Sequence, residues 1–171
     1  MNDIVTAMDD YTTIEISKED IKFSAAHFTI FSATERERLH GHNFAVSVTL
    51  TAPVADDGLC FGYNEIKKKV RALCAELDEY ALLPEHSPHL SITEDGAQYR
   101  VTFADDTMYF LRKDTILLPI RNSTVEEYSR YLLTRLIGDH TSFFADNDVR
   151  SIVLRVATGP GQWGATTWRK P

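Results

Sequence analysis

A two-residue alternation of apolar and polar side chains, present in two stretches near the start of the chain, is the feature that most limits the possible folds. The first stretch, TTIEISKEDIKFSAAHF, covers residues 12–28, and the second, HNFAVSVTLTA, covers residues 42–52. Because successive side chains of a β-strand point to opposite faces of a sheet, each stretch predicts a strand with one buried face. We expect the two strands to pair in antiparallel orientation, joined by residues 29–39.

Two later stretches have the longer period of an amphipathic helix. YNEIKKKVRALCAELDEY repeats apolar side chains every three or four residues, which predicts a helix that ends near Asp78. NSTVEEYSRYLLTRLIGDH opens with a capping box, in which Thr124 is followed three residues later by Glu127, and predicts a second helix. The predicted buried stripes are Ile66, Val70, Leu73 and Leu77 in the first helix and Tyr128, Leu132 and Leu136 in the second.

The remaining patterns complete an α+β fold. Between residues 84 and 119, short β-like runs alternate with turn signals, which predicts an inserted β-hairpin or meander. VRSIVLRVAT and WGATTWR then predict two closing strands. The order ββααββ predicts one antiparallel sheet with both helices on one face. Because 43% of the 171 residues are apolar, we expect one domain spanning residues 1–171.

The composition argues against several classes of function. The net charge is −7, and no block of lysine and arginine is long enough to follow a nucleic-acid backbone. The opening MNDIVTAMDDYTT lacks the basic and apolar regions of a signal peptide, and no apolar run has the length of a membrane span. We therefore expect a cytoplasmic protein that binds neither nucleic acid nor membrane, with Cys60 and Cys74 both reduced.

Three histidines form a candidate metal site. His40 and His42, in ERERLHGHNF, are two residues apart on a predicted strand and therefore project to the same face. His27 ends the preceding strand, so an antiparallel pair would bring it opposite them. Three imidazoles without a fourth protein ligand are typical of a catalytic zinc ion, Zn²⁺, whose open position holds water or substrate. The alternative is that they are ordinary polar strand residues near a turn.

The order of FSAAHF, LHGHNF, a helix ending in ELDE and a second helix starting NSTVEE resembles the family of 6-pyruvoyl- and 6-carboxy-tetrahydropterin synthases. The resemblance implies a tunnelling fold, zinc held by His27, His40 and His42, and active sites between the subunits of a homo-oligomer, commonly a hexamer made of two trimers. The unpaired edges of a four-stranded sheet agree with such an assembly. The resemblance also implies a lyase that acts on 7,8-dihydroneopterin triphosphate in queuosine, folate or biopterin biosynthesis.

The chain departs from the family at two catalytic positions. Where the family has a catalytic cysteine, four residues before the first histidine of His-Gly-His, this chain has Arg36. The neighbouring Glu37 is the natural substitute as a general base, although ERER could equally be a charged, solvated turn. Where the family has Asp-His, this chain has Asp78 and Glu79, which we predict to move protons, with an ordinary surface location for Asp78 as the alternative.

A third departure concerns substrate binding. The family anchors the pterin with a glutamate in the penultimate strand, and Ala157 stands at that position here. Thr124 and Glu126 match the family pattern at the start of the second helix and are the predicted substrate-binding residues, with helix capping as the alternative role. The departures leave two other hypotheses open, a diverged zinc enzyme with another small-molecule substrate and a non-catalytic pterin- or metal-binding oligomer.

Overall fold

The computed structural model of the protein describes residues 11–171, so the first ten residues of the predicted domain lie outside it. The strands are β1 (Tyr11–His27), β2 (His40–Pro53), β3 (Tyr80–Pro84), β4 (Ser91–Asp95), β5 (Gln98–Phe103), β6 (Asp106–Leu111), β7 (Thr115–Leu118), β8 (Ser151–Gly159) and β9 (Gln162–Arg169). The α-helices are α1 (Tyr63–Ala75), α2 (Val125–Asp139) and α3 (Thr141–Asp146), and a 3₁₀ turn spans Arg112–Asp114.

The main sheet has six strands in the order β7-β3-β1-β2-β8-β9. The four long strands, β1, β2, β8 and β9, pair in antiparallel orientation as predicted. The short strands β3 and β7 add a parallel extension beside β1, which the sequence pattern did not predict. The fold is therefore α+β with a mixed sheet, and its antiparallel part is the predicted four-stranded core.

A bulge in β1 explains a change of phase in its sequence. Ile14 and Ile16 alternate on even positions, whereas Ile21 and Phe23 alternate on odd ones. The register along β2 shifts between Ser17 and Lys22, so the extra residues return the apolar side chains to the same face. Ile16, Ile21 and Phe23 are consequently all buried.

Both long helices pack on one face of the sheet, as predicted, and the core lies between the helices and the sheet. The predicted stripes of α1 and α2 are buried: Ile66, Val70, Leu73, Leu77, Tyr128, Leu132 and Leu136 are each at most 4% exposed. The first helix ends at Ala75 rather than near Asp78, and a turn continues to the start of β3. The short helix α3 was not predicted.

The insertion is an antiparallel meander of β4, β5 and β6, one of the two predicted forms. It has its own apolar cluster, in which Val101 and Phe103 of β5 pack with Leu83 of β3 and with Phe28 and Ile30 of the β1–β2 loop. The insertion therefore contacts the loop that precedes the His-Gly-His segment. Within residues 11–171 no helix is both long and apolar enough to cross a membrane.

Candidate metal centre and adjoining pocket

The pairing of β1 with β2 brings the three histidines together. His27 lies opposite His40, and His42 lies opposite Ala25, two residues before His27, so all three side chains are on the helix-covered face. One ring nitrogen from each residue lies within 4.8 Å of the others. The predicted cluster therefore has the donor atoms and the spacing to hold a metal ion.

Backbone carbonyls orient two of the rings. The Nδ1 atom of His27 donates to the carbonyl oxygen of Ser123 at 3.1 Å, and Nδ1 of His40 donates to that of Arg38 at 2.7 Å. This arrangement leaves each Nε2 as the nitrogen with a free lone pair, as in metal-binding histidines. Among residues 11–171 the buried Nε2 atom of His27 has no hydrogen-bond partner, which is costly unless another group satisfies it.

The environment of His27 favours its neutral form. The side chain is 3% exposed, and burial lowers the pKa of His27 below its usual value, assisted by His40 and His42 and opposed by the hydrogen bond to Ser123. A neutral imidazole is the form that binds a metal. Beneath the histidines lie the rings of Phe44 and Tyr128, with centroids 5.1 and 6.4 Å from that of His27, which keep bulk water from this side.

Glu37 lies at the edge of the histidine cluster. One carboxylate oxygen, Oε2, accepts a hydrogen bond from the Thr29 amide at 2.9 Å and lies 4.0 Å from Nε2 of His40. Burial alone would raise the pKa of Glu37, but the Thr29 hydrogen bonds and the nearby histidines outweigh it and hold the pKa below its usual value. The carboxylate is thus ionised and lies beside the histidine cluster.

The Arg36 side chain points away from the histidines and towards the insertion. Its guanidinium carbon lies 5.3 Å from the ring centroid of Phe28 and 5.6 Å from that of Phe103, within the apolar cluster of the insertion. One terminal nitrogen donates to Asp106 of β6 at 3.0 Å. The residue at the family's cysteine position is therefore a structural contact with the meander, and the carboxylate of Glu37 is the group that faces the histidines.

A pocket of about 360 Å³, here called the inner pocket, opens beside the histidines. It is lined by His27, Thr29, Phe31, Glu37, His42, Phe44, Ser123, Thr124, Val125, Glu126, Thr158 and Gln162. The predicted residues Glu37, Thr124 and Glu126 are among them, whereas Ala157 is buried in β8 and is not. Sequence reasoning missed Thr29, Thr158 and Gln162, although the turn between the closing strands marked a loop that could carry site residues.

Helix capping accounts for part of the role of Thr124. Its side chain accepts a hydrogen bond from the Glu127 amide at 3.4 Å, as the capping box predicts. The reciprocal bond is absent from the contacts of Glu127, whose carboxylate instead accepts from the backbone amide and guanidinium of Arg121 at 2.9 and 2.7 Å. Half of the predicted capping box is therefore formed.

Asp78 and Glu79 lie outside the inner pocket. Oδ1 of Asp78 accepts from the Ser24 amide at 2.6 Å, and the Glu79 amide donates to the Ser24 carbonyl at 2.7 Å, so both residues fasten the end of the α1–β3 turn to β1. Glu79 lines a wider surface pocket of about 580 Å³, here called the outer pocket, together with His42, Asn43 and Asp114. Within one copy of the chain they are thus separated from Glu37.

Comparison with known proteins gives consistent matches. The family model of 6-pyruvoyl tetrahydropterin synthase matches residues 15–164, a range that includes every residue of the inner pocket. A Methanocaldococcus jannaschii protein provisionally named 6-carboxy-5,6,7,8-tetrahydropterin synthase is 29% identical over 152 residues, which cover 83% of this chain and 86% of that protein.

Solved structures agree with the family match. The structure of Plasmodium vivax 6-pyruvoyltetrahydropterin synthase has a TM-score of 0.90 and 30% identity, covering 95% of this chain and 100% of that chain. A variant of the same enzyme, in which a catalytic glutamate is replaced by alanine, has a TM-score of 0.90 and 29% identity with the same coverage.

Proposed function

Because the chain belongs to the 6-pyruvoyl tetrahydropterin synthase family, we propose that it is a zinc-dependent lyase that acts on 7,8-dihydroneopterin triphosphate or a closely related pterin. The observation that carries the proposal is the meeting of three histidine nitrogens, within 4.8 Å of one another, with an ionised glutamate beside a pocket. A metal site that keeps an open position beside a carboxylate base is suited to proton transfer at an acidic carbon.

In this proposal His27, His40 and His42 hold the zinc. The donor set fits that metal, since three neutral imidazoles with no fourth protein ligand are typical of catalytic zinc. When bound, the ion would supply Lewis-acid polarisation of the oxygen atoms on the substrate side chain. The hydrogen bonds from His27 and His40 to backbone carbonyls hold the two rings in the orientation that this role requires.

Glu37 is the proposed general base. Its Oε2 atom lies 4.0 Å from Nε2 of His40, close enough to take a proton from a substrate carbon held next to the histidines. The amide of Thr29 holds this oxygen in place at 2.9 Å. The Plasmodium vivax enzyme, for which alanine and cysteine variants of a catalytic glutamate have been solved, supports a glutamate in this role.

Thr124 and Glu126, at the start of α2, are the proposed substrate-binding residues. Both line the inner pocket, and a carboxylate such as Glu126 can accept hydrogen bonds from the amide and amino groups of a pterin ring. Thr158 and Gln162, from the end of the β8–β9 hairpin, add polar groups on the other side of the same pocket. Together they would orient the ring while the side chain of the substrate reaches the histidines.

We assign Asp78 and Glu79 to proton transfer in a site completed by a second copy of the chain. Glu79 and His42 both line the outer pocket, which lies open to solvent in the single chain. Within residues 11–171 the main sheet ends in the strands β7 and β9, and their outer edges suit pairing between copies. A homo-oligomer, in the form of a hexamer of two trimers, is part of this proposal and is checked by light scattering after gel filtration.

One assay tests the proposed function. The purified protein, loaded with zinc, is incubated with 7,8-dihydroneopterin triphosphate, and the release of triphosphate and the fluorescence of the pterin product are followed. Turnover that requires zinc supports the proposal. Zinc-loaded protein that releases no triphosphate and leaves the pterin unchanged contradicts it, and the separated products identify whether the side chain is rearranged or cleaved.

A diverged enzyme with a different small-molecule substrate is the second candidate. The observation that favours it is Ala157, which is buried in β8 where the family carries its pterin-anchoring glutamate. Binding of a pterin by the zinc-loaded protein, measured by calorimetry, separates the candidates. Tight pterin binding without turnover would instead favour a non-catalytic pterin-binding oligomer.

A further inference from the structure

We propose that Arg36 is a positioning residue for Glu37, and that the inserted meander takes part in the active site through this side chain. The inference rests on the proposed catalytic role of Glu37. Its basis is that one guanidinium group joins three segments: the β1–β2 loop (residues 28–39), the strand β5 and the start of β6.

Arg36 is held by two aromatic rings and at its terminal nitrogens. The rings of Phe28 and Phe103, which are 1% and 3% exposed, lie 5.3 and 5.6 Å from the guanidinium carbon. One terminal nitrogen donates to the backbone carbonyl of Glu37 and the other to the carboxylate of Asp106, each at 3.0 Å. The Arg36 side chain is 17% exposed and that of Asp106 is 67% exposed, so burial and stacking fix the guanidinium while the ion pair itself lies at the surface.

The loop also has hydrogen bonds of its own around Glu37, including an antiparallel bridge between Ile30 and Arg36. On one side, the Asn122 side chain bonds both the amide and the carbonyl of Ile30. On the other side, the Glu37 amide donates to the Thr29 carbonyl at 2.8 Å, and the Thr29 amide donates to the Glu37 carboxylate. Thr29 therefore holds the amide and the carboxylate of Glu37, whereas Arg36 holds its carbonyl, so loss of the Arg36 side chain frees this third polar group and loosens the position of the carboxylate.

The chemistry of the contact requires arginine. A guanidinium is planar, so it can stack on aromatic rings while its terminal nitrogens donate in two directions. A lysine would present a single ammonium group and could not satisfy the Glu37 carbonyl and Asp106 while stacking on Phe28. The change from cysteine to arginine at this position therefore replaces a reactive group by a support for its neighbour.

The test compares Arg36→Met with Arg112→Met. Arg112 is the matched control because it also stacks on an aromatic ring of the meander, Tyr99 at 5.5 Å, and pairs with Glu94 at 2.9 Å, yet it has no contact with Glu37. Amide exchange of Thr29, followed by NMR in the zinc-loaded protein, reports the hydrogen bond to the Glu37 carboxylate. We expect R36M to raise this exchange rate about tenfold and R112M to leave it unchanged.

Turnover is measured on the same samples. We expect R36M to lower kcat about 10- to 100-fold with little change in KM, because misplacing a catalytic group by about 1 Å has an effect of this size. Zinc content stays at the wild-type level, since no ligand is altered. Unchanged Thr29 exchange in R36M, or unchanged kcat in an active enzyme, overturns the inference.

A second variant keeps the inference testable if R36M does not fold. Asp106→Ala removes only the outer end of the contact, and the Asp106 side chain is 67% exposed, so the fold is expected to tolerate the change. We expect Thr29 exchange and kcat to change in the same direction as in R36M but less. If D106A matches the wild-type protein in both, the link to the meander is wrong. If the wild-type protein has no pterin turnover, the proposed function fails, and Thr29 exchange alone decides whether Arg36 positions Glu37.

Discussion

Gly164 of β9 and Val125, the first residue of α2, meet backbone to backbone. A Cβ atom at position 164 would lie 2.5 Å from the carbonyl carbon of Val125 and 2.7 Å from the Glu126 amide nitrogen. Only glycine allows this approach without a shift of the helix. The start of α2 carries the Ser123 carbonyl that holds His27, as well as Thr124 and Glu126, so the contact sets the position of one wall of the inner pocket.

The first prediction is that Gly164→Ala displaces this wall. We expect a loss of about 1–3 kcal/mol in the free energy of unfolding, because the added methyl group meets backbone atoms that cannot rotate away. The measurement is urea unfolding of the zinc-free protein. The control is Gly138→Ala near the end of α2. No atom of residues 11–171 lies within 4 Å of the Cβ added there, and a gain of about 0.4–1 kcal/mol in the free energy of unfolding is expected.

The same variant tests the link to the histidines. Groups that orient a metal ligand typically change metal affinity about 10- to 100-fold when they are altered, and G164A moves the carbonyl that holds His27. Weaker zinc binding by G164A than by G138A, measured by competition with a chelator, supports the link. Equal zinc affinities of G164A and G138A would show that the Ser123 carbonyl does not control how the His27 ring binds the metal.

The second prediction concerns the metal. We expect the purified protein to bind one zinc ion per chain and His40→Ala to lower the affinity at least about 100-fold, since loss of a ligand exceeds the effect of a neighbouring residue. Elemental analysis after dialysis measures this. His89→Ala is the control, because His89 lies exposed in the loop before β4. Stoichiometric zinc in H40A would rule out the three-histidine site.

The third prediction is that Glu37→Gln removes the base while leaving the metal. A general base typically contributes about 10²–10⁴-fold to rate, so kcat is expected to fall within that range with zinc content unchanged. Glu35→Gln, two residues away and exposed, serves as the matched control and is expected to keep wild-type turnover. Wild-type kcat in zinc-loaded E37Q would exclude Glu37 from the mechanism.

The fourth prediction concerns the two free thiols. Burial, with a smaller contribution from Asp78, raises the pKa of Cys74 to about 12, and burial also raises the pKa of Cys60. Because the thiolate is the reactive form, Cys74 is expected to resist a thiol reagent at about pH 8 until the protein is unfolded. Mass spectrometry of the labelled protein checks this, and rapid native labelling of Cys74 would contradict the packing of α1.

The meeting of the three histidines was predictable because strand geometry alone decides it. Alternation puts His40 and His42 on one face, and antiparallel pairing brings His27 to the same place. The strands β3 and β7 were not predicted, because YALLP and TILL are short apolar runs without alternation. Such runs are typical of parallel strands but are too short to distinguish from the end of a helix.

The role of Arg36 could not be deduced from the sequence, since it depends on Phe103 and Asp106, which lie in the insertion far along the chain. Asp78 is a candidate for proton transfer partly because a carboxylate is unfavourable at the end of a helix. The hydrogen bond from the Ser24 amide gives that carboxylate a structural partner, which no local pattern reveals.

The pairing of β3 with β7 has a consequence for how the chain folds. Ala81 pairs with Thr115 and Pro84 with Leu118. The two strands of this parallel edge are therefore separated in the chain by the whole insertion, which must be placed before they can pair. The meander strands are joined by tight turns at Gly96 and Ala104, and such local hairpins can form early. Once formed, the meander holds Ser91 and Leu111 at opposite ends of its three strands, so the edge closes around one ordered unit and less chain entropy is lost than with a flexible connection. The insertion would then lower the entropic cost of adding β7 to the sheet.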